Sequence, residues 1–135
     1  MNAKTALKIF CVSIFTVSLF SCDPPHAIFF SNDSNSNVKV VLNLNPKIEN
    51  YHLRELAVGD SIVLDLKNEG ISMIEFGIGQ WSDKEIGNIA NSIRSIQIET
   101  KDVKTIYKTN NSIQSLFIKN RKGYIMRSEI QIEIK

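Results

Sequence analysis

Val38-Lys39-Val40-Val41-Leu42-Asn43-Leu44-Asn45 decides how this chain folds. Val38, Val40, Leu42 and Leu44 alternate with Lys39, Asn43 and Asn45. A period of two places four aliphatic side chains on one face of a strand and the polar ones on the other. Pro46 ends the run, since it has no N–H for a ladder. Upstream, Ala27 to Phe30 is a short apolar run, and Ser31-Asn32-Asp33-Ser34-Asn35-Ser36-Asn37 is a cluster of turn formers, read as a hairpin loop. Downstream, Lys47 to Leu56 is mixed and polar and reads as loop. Ile62, Leu64 and Leu66 alternate with Ser61 and Asp65 in a further strand, and Lys67-Asn68-Glu69-Gly70 turns the chain. Ile74, Phe76 and Ile78 share one phase while Ile71 and Met73 sit in the other, which suggests a bulge near Met73.

One segment breaks the strand pattern. Ser82-Asp83-Lys84-Glu85 has the Ser-x-x-Glu form of a capping box, and Ile86, Ile89, Ala90 and Ile93 follow at helical spacing. A short helix over 83–93 is expected. The period then returns to two at Ile96 and Ile98. Strands are expected over Val103 to Lys108, Ile113 to Lys119 and Tyr124 to Ile134, with Asn120-Arg121-Lys122-Gly123 as a hairpin loop. The fold class is mainly β: an antiparallel sandwich or rolled sheet of seven to eight strands with one short helix. A barrel, or an α+β arrangement with the helix on one face, is the alternative.

The N-terminus has a different character. Met1 to Lys8 carry two lysines and no acid, and Ile9 to Phe20 are mostly apolar. That run is shorter than the roughly 20 residues of a spanning helix and fits a secretory signal peptide. Its exit, Leu19-Phe20-Ser21-Cys22, resembles the lipobox of bacterial lipoproteins, with an aliphatic residue three before the cysteine and a small one just before it. The resemblance implies a diacylglyceryl thioether at Cys22, cleavage before it and acylation of the new amine. Two or three chains would attach the protein stably to a membrane, each buried methylene contributing about 0.8 kcal/mol. The competing reading is an ordinary secretory signal with a chance cysteine.

On this reading residues 1–21 are a signal peptide, 22–27 are the lipidated cysteine and a short tether holding Pro24-Pro25, and 28–135 form a single domain. The protein is placed in the cell envelope, with the outer membrane preferred to the inner. Ile28-Phe29-Phe30-Ser31-Asn32-Asp33-Ser34 followed by Val38-Lys39-Val40 resembles the start of small uncharacterised lipoproteins of the Bacteroides type, in which a Phe-x-Asn-x-Ser turn joins two strands. Asp60-Ser61-Ile62 resembles the O-glycosylation site of envelope proteins of that type.

Composition narrows the chemistry. Of 16 basic residues in the 135-residue chain, Lys4 and Lys8 leave with the signal, so 14 basic residues face 14 acidic ones. That balance gives no basic stripe for nucleic acid. Cys11 also leaves and Cys22 is acylated, so no thiol remains for a disulfide, redox pair or zinc site.

No catalytic, cofactor or metal motif is found. Asp33, Asn35 and Asn37 have the spacing that opens an EF-hand loop, but Val38 stands where its glycine belongs and Leu44 where its bidentate Glu belongs. His26 falls in the tether and His52 is read as a surface residue, so no paired acid-base set is visible. A cleft bringing Glu75 to Glu85 would revive an enzyme reading. Gly77-Ile78-Gly79 lacks the remainder of a phosphate-binding loop. Lys119, Arg121 and Lys122 read as a solvated hairpin tip. Trp81, the sole tryptophan, is the candidate ligand contact, weighed against a core role closing the sheet. The expected function is a lipid-anchored, non-enzymatic binding or adaptor module contacting a protein or glycan. The alternative is a structural accessory subunit of an envelope uptake or assembly complex.

Overall fold

The computed structural model describes residues 24–47, 50–123 and 127–135. Eight strands and three helices lie among them. The strands are β1 (Pro25–Asn32), β2 (Val38–Leu44), β3 (Ser61–Leu66), β4 (Ile71–Ile78), β5 (Ile93–Glu99), β6 (Lys104–Tyr107), β7 (Arg121–Lys122) and β8 (Glu129–Ile134). The helices are α1 (Tyr51–Leu56), α2 (Asp83–Ser92) and α3 (Asn110–Lys119).

Two four-stranded sheets form a sandwich-like, mainly β structure, in the orders β4-β1-β8-β7 and β3-β2-β5-β6. The β2 alternation works as its sequence dictates: Val38, Val40, Leu42 and Leu44 are buried, with Lys39 outside. Ile28 and Phe30 of β1, Ile96 and Ile98 of β5, and Ile130, Ile132 and Ile134 of β8 join them in one core. All pairings are antiparallel except β1 with β8, which run parallel in register from Ala27↔Glu129 to Asn32↔Ile134.

The expected β1–β2 hairpin is not formed. β1 and β2 belong to different sheets, and so do β3 and β4, so both connections cross the sandwich at one end. Asn32 ties the two crossings together. Its fully buried amide donates to the carbonyls of Ser36 (2.7 Å) and Lys67 (2.9 Å), and its oxygen accepts from the Ser34 N–H (3.0 Å). Here the Phe30-x-Asn32-x-Ser34 sequence joins strands of opposite sheets, not neighbours in one.

Four further expectations are corrected. Two helices join the expected one, which runs to Ser92 before the chain enters β5 directly. Tyr51–Leu56, expected as loop, is a helix capped by the Asn50 side chain. The expected strand at Ile113–Lys119 is helix α3, with Thr109 and Ser112 closing a reciprocal capping box. Its Ile113, Leu116 and Phe117 follow the helical i, i+3, i+4 rule as well as they suggest a strand. Asn120, expected in a hairpin loop, is the cap residue of α3, and Arg121 and Lys122 already form β7.

The bulge expected near Met73 lies at Phe76-Gly77, where β1 pairing steps from Ala27↔Glu75 to Pro25↔Ile78. The extra residue falls in β4, and Gly77 takes a φ of 98° there. Ile74, before the bulge, is buried, and Ile78, expected on the same face but beyond the extra residue, is 71% exposed. The tether is also shorter than expected, because β1 begins at Pro25 and His26 and Ala27 are already buried in the sheet. Tyr124, the expected start of the last strand, lies outside the described residues.

Candidate functional site

Five ring side chains, His26, Tyr51, His52, Phe76 and Trp81, gather where β1 begins and β4 ends. The β4 bulge faces His26 on the neighbouring strand. His26 is 7% exposed, and its ring centroid lies 3.8 Å from that of Trp81 with the planes tilted by 48°. Phe76 meets Trp81 edge-on at 5.2 Å, His52 lies 5.6 Å from Phe76, and Tyr51 lies 5.8 Å from His52. The row runs from the core to α1, ending on an exposed Tyr51.

Trp81 sits in the wall of this cluster. It is 3% exposed, its indole N–H donates to the Ala27 carbonyl (3.3 Å), and its backbone N–H donates to Arg127 (2.7 Å). That is the core role weighed in the sequence. Arg121, expected on a solvated tip, donates to the Trp81 carbonyl (3.0 Å) and pairs with Asp83 (2.8 Å). It pins the chain between Trp81 and α2, with its side chain only 12% exposed.

α2 supplies the opposite wall. Its capping box joins Ser82 and Glu85, and the Ser82 hydroxyl and backbone N–H hold the Glu85 carboxyl below its ordinary pKa. Burial pushes the His26 imidazole below its ordinary range, against the opposing pull of Glu85 and a backbone hydrogen bond at Phe76. His26 is therefore neutral near pH 7. Its Nε2 is buried and has no hydrogen-bond partner among the described residues.

A cleft of about 290 Å³ opens here, lined by His26, Phe76, Trp81, Glu85, Asn50 and Asn88 among others. A second concavity of about 490 Å³ shares Asn50 and Asn88 and continues to Asn91 and Ser92. The two form one groove between α1 and α2. At the opposite end of the sandwich, beside the crossings, a hollow of about 430 Å³ is lined by Lys39, Lys67 and Lys101 with Asp65 and Glu99. Its charges largely balance.

Glu75 is not brought to Glu85. It lies exposed on β4 beside the inward Ile74 and does not line the cleft that Glu85 lines. No group of three His, Cys, Asp or Glu residues that could hold a metal ion occurs among the described residues. The Ser61 hydroxyl donates to the Asn43 side chain (3.0 Å) at the start of β3. Leu19, Cys22 and the rest of the lipobox lie outside the described residues.

The sequence reading missed His26 and the asparagines of the groove. Ordinary spacing rules carry no signal for them: His26 enters the cluster through a bulge on a different strand, and the asparagines read singly as turn formers. No family model matches the chain, and neither a curated protein nor a solved structure matches it. The fold and the groove define a class only, a small β-sandwich-like module with a polar groove at one end.

Proposed function

We propose that this protein is a lipid-anchored component of the cell envelope that acts as a non-enzymatic binding or adaptor module. The observation that carries the reading is the groove between α1 and α2, built at the end of the sandwich where the chain enters from Cys22. Ligand sites are concave, largely pre-formed and few per protein, and this one gathers convergent polar groups over a buried aromatic cluster. Its one carboxylate wall residue among the described residues, Glu85, is committed to capping α2. Its histidine is buried against Trp81. Neither is presented as a nucleophile-activating pair.

Acylation of Cys22 would hold the domain close to the bilayer, because β1 starts at Pro25 and three residues span at most about 10 Å. The groove end would then face the membrane and the β1–β2 crossing would point away. One observation favours the alternative, an accessory subunit of an envelope complex: among the described residues β6 pairs only with β5, and its Ile106 (40%) and the adjoining Val103 (60%) are exposed. Such an edge can accept a strand from a partner.

The test is radiolabelled palmitate incorporation and membrane fractionation of the wild type beside Cys22→Ala. The wild type is expected to take up label and stay with membranes, and the variant to do neither. A variant that remained membrane-bound with its signal removed would overturn the anchor. Cross-linking to one integral membrane protein, lost on replacing Ile106 by Lys, would favour the accessory reading.

A further inference from the structure

We infer that the groove between α1 and α2 is a binding site for a short neutral oligosaccharide. The inference rests on the binding-module reading and names its ligand.

Three asparagines line the groove, and the fold uses them in a particular way. The Asn50 side-chain oxygen accepts from the Leu53 N–H (3.1 Å) as the α1 cap, and the Asn91 oxygen accepts from Asn110. Each oxygen thus already accepts one bond within the fold, while their NH₂ groups have no acceptor among the described residues. Asn88, between them in the shared stretch, is exposed with neither end of its amide engaged. An amide carries two donors and an acceptor, so the groove presents a run of donors with one bifunctional group in the middle.

At one end stands Glu85, whose Oε2 is taken by Ser82. Its other oxygen is an acceptor for a hydroxyl. Beside it is His26, more than nine-tenths buried, with an unpartnered ring nitrogen. That nitrogen has almost no accessible surface, so it lies beneath the groove and is not offered to a ligand. The half-buried Phe76 lies at the edge of the cleft, above a Trp81 that is itself buried in the core.

Sugar hydroxyls both donate and accept, and this mixture of amide donors and a carboxylate acceptor complements them. Among the described residues that line the groove, the formal charges are Glu85 at one end and Lys47 at the other. These two opposite charges give an anion or a cation no net attraction along the groove, and a neutral chain needs none. The two adjoining volumes, about 290 and 490 Å³, give room for more than one ring.

Trp81 is the only tryptophan and lies in the groove wall, so its emission reports directly on occupancy. The experiment titrates the full-length protein in detergent with cellotriose, maltotriose and chitotriose, following Trp81 fluorescence and the side-chain amide NMR signals of Asn50, Asn88 and Asn91. At least one sugar is expected to shift all of these saturably. Asn88→Ala, an exposed change that leaves both helix caps intact, is expected to weaken that binding about tenfold with an unchanged melting temperature, the loss of roughly one to two hydrogen bonds. Lys101→Ala, in the distant hollow, is expected to leave it unchanged.

No response to any of the three sugars at millimolar concentration would overturn the inference. So would binding that Asn88→Ala leaves intact, or a response only to a peptide partner. Because the titration does not depend on acylation, its failure is distinguishable from failure of the anchor, which palmitate labelling reads separately.

Discussion

Burial holds the His26 imidazole below its ordinary pKa of 6.5, with His52 pushing the same way and Glu85 and the backbone at Phe76 pulling against them. The unfolded chain therefore binds a proton at His26 more readily than the folded one. The contribution of His26 to stability is complete above about pH 6.5 and is lost as pH falls below it. Urea unfolding midpoints are expected to fall between about pH 7 and pH 5, and His26→Phe, which keeps a ring against Trp81, should flatten that fall. The Glu85 carboxyl, held low by Ser82, acts in a lower window: its contribution is present above its ordinary 4.5 and lost below. A loss confined to that lower window in the wild type would contradict the account of His26. Asn32 makes a second prediction at this scale. Asn32→Ala leaves buried carbonyls of the two crossings unpaired and should destabilise by about 3 kcal/mol, whereas the exposed Asn35→Ala nearby should change stability by less than about 0.5 kcal/mol. Denaturant melts measure both.

At the scale of elements, α3 shows how caps settle what periodicity leaves open. Thr109 accepts from the Ser112 N–H (3.1 Å) and the Ser112 hydroxyl reaches back to Thr109 N–H (3.2 Å), so two orphan donors of the first turn are satisfied. Thr109→Ala should cost about 1 kcal/mol, read as a lower urea midpoint with helical signal lost first in the same transition. The same comparison explains what was legible in the sequence. β2 and α2 were readable because Val38 to Leu44 has a strict period of two and Ser82–Glu85 a glutamate capping box, local signals that tertiary packing reinforces. α3 was not, because Ser112 replaces the glutamate and Ile113, Leu116 and Phe117 fit either period over so short a run. The crossings were not, because turn formers at Ser31–Asn37 set a change of direction but not which sheet the next strand joins. The groove was least legible of all. It depends on the β4 bulge at Phe76-Gly77 and on α1, whose six residues carry one buried apolar side chain, Leu53.

The whole molecule has two unlike ends. At one, Pro25 pairs with an exposed Ile78 and the groove opens between α1 and α2. At the other, Asn32 locks the β1–β2 and β3–β4 crossings beside the β5–β6 turn. The eight residues of β1 separate these ends by about 25 Å. Anchoring at Cys22 would place the first end against the bilayer and the second away from it, so orientation and attachment can be read together. The most direct measurement is energy transfer from a fluorophore on a single introduced thiol to acceptor lipids, using the acylated protein in vesicles. Gln80→Cys and Lys101→Cys put the label on exposed positions at the two ends. The account predicts strong transfer from position 80 and weak transfer from position 101. Equal transfer from both, or a protein that leaves the vesicles altogether, would contradict it.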